Sequence, residues 1–224
     1  CVAARAPGEP VWIFDAGSRD HSRVGASALG PLLASWEATS VNVALSHDER
    51  DHANGLPWLV ERYTVRTWIG ALPAPLGARL PHTSRRTADL LGSVAIDGRA
   101  VSTLAVRAIR GLDAPANEGS LTLELIWNGE RLVLCGDAVG EGLENGMRHF
   151  ESALPTRLLL WPHHGDDTPL AQALLAATKP AEVWLSTGSN APIELEIERR
   201  GLAWRSTARD GPLCLTLDAP PRPP

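Results

Sequence analysis

Short apolar runs alternate along the first part of the chain with segments in which apolar residues recur every three or four positions. A run at Val11–Phe14 precedes a helical pattern over residues 26–36, and a second run covers residues 41–45. Mainly apolar runs of this length are typical of strands buried on both faces, whereas the longer period is typical of amphipathic helices. The sequence therefore predicts alternating strands and helices, continued by a helix at 55–63, a strand at 65–69 and a helix at 84–91.

The middle of the chain has a different pattern, which predicts antiparallel strands. Residues 94–109 alternate between apolar and polar around Asp97-Gly98, and strand-like segments at 121–127 and 131–135 flank Asn128-Gly129. An Asn-Gly pair between two such runs is a strong signal for a tight hairpin. The first pattern then returns, with predicted helices at 143–152, 169–177 and 193–200 and predicted strands at 158–161, 182–185 and 213–217.

This order of elements predicts an α+β protein built as a four-layer αββα sandwich, in which helices cover the outer faces of two sheets. We expect a single domain over residues 1–218, followed by a proline-rich tail at 219–224 that can form neither a helix nor a sheet ladder. The sequence starts at Cys1 and shows no leader-like apolar stretch, so we expect a domain cut from a longer protein.

Composition and charge narrow the possible functions. No apolar run reaches the roughly 18 residues that a membrane-spanning helix needs. The formal net charge of −5 argues against a broad basic face, so any contact with nucleic acid must come from a local group of arginines or through a metal. The three scattered cysteines, Cys1, Cys135 and Cys214, argue against a disulfide framework and against a Cys-x-x-Cys zinc site.

The densest chemical signal is the segment from Ser46 to Gly55, directly after a predicted buried strand. It places the imidazoles of His47 and His52 and three carboxylates within a few residues of one another. At the mouth of a strand, such side chains can converge on a divalent cation. The alternative is a solvated cluster of surface charges, which gives no reason for the paired histidines.

Two further strands end in acids or imidazoles. One leads into Gly136-Asp137, which alone is also compatible with an ordinary turn, and the other leads into His163-His164-Gly165, which alone is also compatible with a pH-sensitive surface pair. Three such strand ends in one chain favour a shared metal site. The isolated histidines are interpreted as structural or exposed; they are His21, His82 and His149.

The order and spacing of these motifs resemble the metallo-β-lactamase superfamily. The resemblance is carried by Phe14-Asp15-Ala16-Gly17, His47-x-Glu49-x-Asp51-His52, Gly136-Asp137 and His163-His164-Gly165. Within the superfamily the chain is most similar to the hydrolase-like domain at the C-terminal end of the ComEC competence protein family, which has an Asn-x-x-Ser-Leu segment like residues 117–121. The resemblance implies an αββα fold with a metal site between its sheets. It also implies a phosphodiesterase or nuclease activity on DNA taken up by a bacterium.

The resemblance further implies one or two divalent ions, Zn²⁺ or Mn²⁺. Their implied ligands are His47, Glu49, Asp51, His52, Asp137 and one of His163 and His164. Asp137 would bridge two metal positions, and Asp51 would orient or deprotonate the attacking water. One imidazole of His163 and His164 would protonate the leaving oxygen. Asp15 would support the loop without touching the metal.

Four positions depart from the superfamily pattern. Glu49 stands in place of His or Asp, Asn117 in place of a ligand His and Asn54 in place of a loop-closing Gly, and residues 186–192 lack a His that the family often has. Three functions therefore stay open. They are a nuclease-like domain of a DNA-uptake protein, a stand-alone metallo-hydrolase acting on a small ester or phosphodiester, and a non-catalytic binding domain with a degenerate metal site.

The first of these functions brings expectations about partners and location. DNA is the expected partner, bound weakly by the isolated domain because a net charge of −5 releases few counterions. A membrane channel domain of the same chain is expected to hold this soluble domain at the bacterial cell membrane. The family domain usually has one more strand before the element at Asp15, and we expect that strand to be missing.

Overall fold

Two compact units make up the chain, Cys1–Leu90 and Leu91–Pro224, and each contains one β-sheet. The computed structural model describes residues 1–5, 10–70, 72–73, 76, 85–87, 94–95, 105–109, 117–127, 129–150 and 153–215. Several sequence predictions lie outside the described residues; they concern His82, the turn at Asp97-Gly98, Asn128 and the tail at 219–224. Among the described helices, none has the length and apolar character needed to cross a bilayer.

The first unit contains a five-stranded sheet. Its strands, in sheet order, are β1 (Val2–Ala4), β2 (Val11–Phe14), β3 (Ser40–Leu45), β4 (Thr64–Gly70) and β5 (Arg85–Thr87). Strand β1 pairs antiparallel with β2, and every other pair is parallel. Because β2, β3 and β4 run in one direction, the loops that follow β2 and β3 leave the sheet at the same edge.

Helical segments connect these parallel strands. They are a π-helical segment (Gly25–Leu29), α1 (Gly30–Ser35), α2 (Arg50–Ala53) and α3 (Leu56–Arg62). Strand residues Ile13 and Val43 and helix residues Leu33 and Leu59 are fully buried in one apolar cluster. The mainly apolar character of β2 and β3 agrees with this burial, since all their residues are buried.

The second unit contains a seven-stranded sheet in the order β12-β11-β10-β9-β8-β7-β6. In chain order the strands are β6 (Val94–Ala95), β7 (Ala105–Ile109), β8 (Thr122–Trp127), β9 (Glu130–Leu134), β10 (Thr156–Leu160), β11 (Glu182–Leu185) and β12 (Ala203–Ser206). Strands β6 to β9 pair antiparallel, and β9 to β12 pair parallel. The change of direction follows the sequence, because β8 and β9 are joined by a tight turn and the later strands by helices.

The helices of the second unit are α4 (Gly140–His149), α5 (Pro169–Thr178), α6 (Glu194–Arg199) and α7 (Thr207–Asp210). Helix α5 begins with the signals expected of a helix start, since Thr168 accepts a hydrogen bond from Ala171 N and proline occupies the first helical position. Leu174, Ile197 and Leu159 are fully buried in the apolar cluster of this unit. The cluster packs around β9 and β10, which lead into the predicted site residues Asp137 and His163.

Most predicted elements are confirmed, including the hairpin of β8 and β9, but two are wrong. Residues 84–91 were expected to form a helix, and Arg85–Thr87 instead form the strand β5. Residues 213–217 were expected to form the closing strand, but residues 213–215 are not in a strand, and β12 pairs with β11 at that side of the sheet. Strand β5 has three residues and β12 has four, and neither is a continuous apolar run like β2.

Candidate metal centre

His47 and His52 lie close together because a strand end and a helix meet in the loop after β3. His47 follows β3 by two residues, and His52 lies in α2. Both side chains are buried, and their ring centroids are 4.2 Å apart. Ligand atoms of His47 and His52 lie within 4.8 Å of each other, and so do ligand atoms of Asp51 and His52. These three predicted site residues are therefore brought together within the first unit.

The buried carboxylate of Asp15 organises this loop. Its Oδ1 accepts a hydrogen bond from Ser46 N at 2.8 Å, and its Oδ2 accepts from the Ser46 hydroxyl at 2.8 Å. The same Oδ2 lies 2.8 Å from His52 Nδ1, and the Ser46 hydroxyl oxygen lies 2.9 Å from His47 Nδ1. Asp15 therefore supports the loop, as the sequence predicted.

These contacts determine which nitrogen of each ring carries the proton. An ionised carboxylate only accepts, so His52 Nδ1 donates to Asp15. The single hydroxyl proton of Ser46 is donated to Asp15, so its oxygen accepts from His47 Nδ1. In the neutral form, both rings therefore present the lone pair on Nε2, the arrangement usual for histidines that bind metals.

A glycine allows the segment after Asp15 to reach α2. A Cβ atom on Gly17 would overlap the carbonyl oxygen of Asp51, so only glycine permits this approach of the two segments. Gly55 N also donates to Ala16 O at 2.8 Å. Asn54, which stands where the family has glycine, pairs its side-chain amide with the main chain of Ser18, at 2.7 Å and 3.2 Å. Asn54 thus adds two hydrogen bonds between the same loops.

Glu49 has a weaker position than the other candidates. Its side chain is 48% exposed, and its Oε2 lies 3.8 Å from His47 Nε2. It directly precedes α2, in an extended backbone conformation. Two ligand atoms of one cation lie about 3–4 Å apart, so this distance is compatible with a shared cation. The exposure of Glu49 leaves its side chain less constrained by packing than the buried rings of His47 and His52.

In the second unit, Asp137 is held by its main chain. It follows β9 through Gly136, which has a positive φ of 54°, and its carboxylate is buried. Asp137 N donates to the buried hydroxyl oxygen of Ser120 at 3.2 Å. His163 N donates to Gly136 O at 3.0 Å, so the two loops that carry predicted site residues are joined.

His163 and His164 point to different partners. His164 Nδ1 lies 2.8 Å from the carbonyl oxygen of Ser186, to which it donates, so its neutral ring presents the lone pair on Nε2. That Nε2 lies 3.5 Å from Asp137 Oδ2. His163 Nδ1 instead lies 2.7 Å from Asp166 Oδ2, and its Nε2 lies 3.4 Å from Asn117 Nδ2. The geometry thus separates two residues that the sequence could not, and places His164 with Asp137.

The backbone at this pair is unusual. Both His163 and His164 have positive φ, 46° and 55°, which non-glycine residues rarely adopt. Such strained conformations persist where the surroundings impose them, and they cluster at functional sites. The turn lets two consecutive side chains diverge, one toward Asp137 and the other toward Asp166.

The donors of each unit are of types that suit a divalent cation such as Zn²⁺ or Mn²⁺. In the first unit, oxygen atoms hold Nδ1 of His47 and of His52, and Asp51 adds a carboxylate. In the second unit, the Ser186 carbonyl oxygen holds His164 Nδ1, and Asp137 adds a carboxylate. The supporting contacts of Ser46 and Ser120 could not be predicted from sequence, although both residues lie within the predicted motifs. No sequence pattern indicates the contact with the Ser186 carbonyl oxygen, because every residue type has a main-chain carbonyl group.

Comparisons with known proteins address the fold. No protein-family model matches the chain, and no curated protein matches it. Among solved structures, human tRNase Z, short form, matches with a TM-score of 0.56 at 15% identity, over 83% of this chain and 83% of that chain. A variant of the β-hydroxylase CmlA matches with a TM-score of 0.53 at 11% identity, over 75% of this chain and 43% of that chain.

A third structure, Zn²⁺-bound PqqB from Methylobacterium extorquens, matches with a TM-score of 0.44 at 16% identity, over 73% of this chain and 59% of that chain. All three proteins are members of the metallo-β-lactamase superfamily. The two matches with the higher TM-scores confirm the predicted fold class, which has two sheets flanked by helices. The chain therefore has the metallo-β-lactamase fold.

Proposed function

We propose that the chain is a metal-dependent hydrolase domain. The observation that carries the proposal is the proton arrangement of three histidines, each of which donates from Nδ1 and presents Nε2. By the order of the motifs along the chain, the ligands of the cation would be His47, Asp51, His52, Asp137 and His164. When bound, the cation would polarise the scissile bond and make water more acidic.

The residues of the chain have distinct roles in this proposal. Asp51 is partly exposed, and its carboxylate would orient or deprotonate the attacking water. His163 Nδ1 lies 2.7 Å from Asp166 Oδ2, and the His163 imidazole would protonate the leaving oxygen. His164, which the sequence left as an alternative catalytic group, would act as a ligand beside Asp137.

As the finer function we propose a phosphodiesterase or nuclease-like domain of a ComEC-type DNA-uptake protein. The order of the motifs supports it, with residues 117–121 before β9 and His163-His164 after β10. A neighbour of the same fold is named a tRNase, which states that it acts on a phosphodiester polymer. In this role DNA is the partner, and a membrane channel domain of the same chain holds the domain at the bacterial membrane.

A non-catalytic binding domain is the second candidate, and one observation favours it. Glu49 is half-exposed and Asn117 stands where the superfamily has a ligand His, so one of two metal positions is poorly supplied. A single cation in the remaining position could serve binding alone. A stand-alone hydrolase acting on a small ester is the third candidate.

Turnover by the Mn²⁺-loaded chain separates these candidates. We expect cleavage of both single-stranded DNA and a chromogenic phosphodiester, and a loss of about 100-fold or more in His164→Gln. His149→Gln is the matched control, because His149 is exposed on α4 and contacts Asn145 O in its own helix. Cleavage of the small ester alone would favour the stand-alone hydrolase. Metal binding without any turnover would establish the binding domain.

A further inference from the structure

The first unit has a cleft at the sheet edge opposite the metal loop. The cleft has a volume of about 260 Å³, and its polar and aromatic lining consists of Arg5, Trp36, Glu37, Thr39, Ser40 and Arg66. Thr39 and Ser40 lie at the start of β3, whereas His47 follows its end. Six strand residues span about 20 Å, so the cleft is distinct from the candidate metal centre.

Two guanidinium groups give this cleft its chemistry. Arg66 donates from Nε to the Ser40 hydroxyl oxygen at 2.9 Å, which orients its guanidinium and keeps its two terminal amino groups for other acceptors. Within the described part of the chain, neither Arg5 nor Arg66 forms an ion pair with a carboxylate. The charge of these two guanidinium groups is therefore not neutralised by an ion pair with any described carboxylate.

The hydroxyls complete a set of donors. The Ser40 oxygen accepts from Arg66, so its own proton can be donated to a ligand, and Thr39 adds an exposed hydroxyl. The last main-chain carbonyl groups of α1 compete little with a ligand for these side-chain donors. They already accept hydrogen bonds from Trp36 N, Glu37 N and Ala38 N. The exposed carboxylate of Glu37 is the one acidic group on the described lining.

We propose that this cleft binds a phosphate group. Guanidinium groups match the oxygens of phosphate in planar, bidentate contacts, and a tetrahedral phosphate can accept from several directions at once. Arg5, Arg66, Thr39 and Ser40 each line the cleft and each carry a side-chain donor. The phosphate belongs either to a free small anion or to the backbone of a nucleic acid.

Titration of the chelator-treated chain tests the proposal without any contribution from the metal centre. The probes are inorganic phosphate and a short single-stranded oligonucleotide, both at low salt. We expect the wild-type chain to bind phosphate, and Arg5→Gln and Arg66→Gln each to weaken binding about fivefold or more. Arg62→Gln is the control, since Arg62 is exposed on α3 and lies over the Trp58 ring, outside the cleft.

A variant that binds phosphate more tightly than the wild type provides a test that misfolding cannot imitate. Removal of the opposing charge in Glu37→Gln should tighten phosphate binding about two- to fivefold, which a damaged fold cannot do. Arginine-dependent binding that is tighter for the oligonucleotide identifies a nucleic-acid backbone as the source, and binding of phosphate alone identifies a small anion. The proposal is overturned if the wild type does not bind either probe, or if the arginine variants and Arg62→Gln behave alike.

Discussion

Asp15 shows how one buried carboxylate can prepare a metal site from outside it. It accepts hydrogen bonds from the main chain and hydroxyl of Ser46 and from His52 Nδ1, all at 2.8 Å. Its positive φ of 51° is one that Asp tolerates better than most residues. Because Ser46 donates its hydroxyl proton to Asp15, its oxygen accepts from His47. The proton of the neutral His47 ring is therefore on Nδ1.

Substitution of Asp15 by Asn should therefore weaken metal binding. The amide that replaces the carboxylate cannot accept from all three donors, so both rings lose the support that keeps Nε2 available. We expect the Mn²⁺ or Zn²⁺ affinity of Asp15→Asn to fall by about 10- to 100-fold, measured by competition with a chelator. Asp48→Asn, which changes an exposed carboxylate of the same loop, should leave metal binding like that of the wild type. Equal affinities of the two variants would contradict the role of Asp15.

The residue types of the site could be predicted from sequence, but not their pairings. The strand-end positions of His47, His52 and Asp137 followed from short apolar runs. His163 and His164 could not be told apart, because they are adjacent and identical. Their separation depends on two positive φ angles and on a carbonyl oxygen of Ser186, and neither is encoded in a local pattern.

At the scale of elements, the start of α4 packs against the turn that carries Asn117 and Ser120. A Cβ atom on Gly142 would overlap the Glu118 carbonyl oxygen, so the helix and the turn meet through main-chain atoms. The same turn provides the hydroxyl that holds Asp137 N. The position of α4 is therefore linked to the position of a proposed ligand.

We expect Gly142→Ala to destabilise the chain by about 1–3 kcal/mol, since the backbone of one element must move. Gly146→Ala, in the same helix, meets the Thr122 hydroxyl at 3.2 Å and gains helix propensity, so its stability should stay within about 1 kcal/mol of the wild type. Denaturant unfolding measures both. An equal loss of stability in the two variants would show that the backbone near Gly142 moves easily to make room for a Cβ atom.

Helix α6 carries a pH-dependent contribution to stability. Glu196 is buried, its Oε1 accepts from Arg200 Nε at 2.6 Å, and it also contacts the Arg199 guanidinium. The hydrogen bond from Arg200 holds the pKa of the Glu196 carboxyl below its ordinary value. The contribution is therefore present above the unfolded-state pKa of about 4.3 and is lost as pH falls through the lower folded value.

Thermal unfolding as a function of pH tests this contribution. Glu196→Gln should have a lower Tm than the wild type at pH 7, and its Tm should fall less steeply between about pH 5 and pH 3. Glu198→Gln, at an exposed position of the same helix, should follow the wild-type profile. A Glu196→Gln profile parallel to that of the wild type would exclude the proposed linkage.

Elements with strong periodicity could be predicted, and short edge elements could not. Strand β2 is entirely apolar, and β3 and β11 are mainly apolar, in agreement with the burial of all their residues. Strand β5 has only three residues, two of them arginines, and this composition resembles a helix as much as a strand. Charged residues on short edge strands limit unwanted pairing, which explains why such strands lack a clear pattern.

At the scale of the whole molecule, the fold class followed from the order of elements. Parallel strands with helices at both ends of the chain and hairpins between them match the two sheets of the structure. The fold by itself does not determine function, because one fold supports many chemistries. The function of the chain therefore depends on the candidate metal-binding side chains that each unit presents.

Metal content per chain tests the central claim most directly. The variants His52→Gln and His164→Gln remove one Nε2 donor from each unit, and His149→Gln serves as the control. We expect elemental analysis after dialysis to give about one equivalent or more of Mn, Zn or Fe in the wild type and the control, and far less in both variants. Wild-type chain with less than about a tenth of an equivalent, unrestored by added metal, would contradict the account, as would full metal content in either variant.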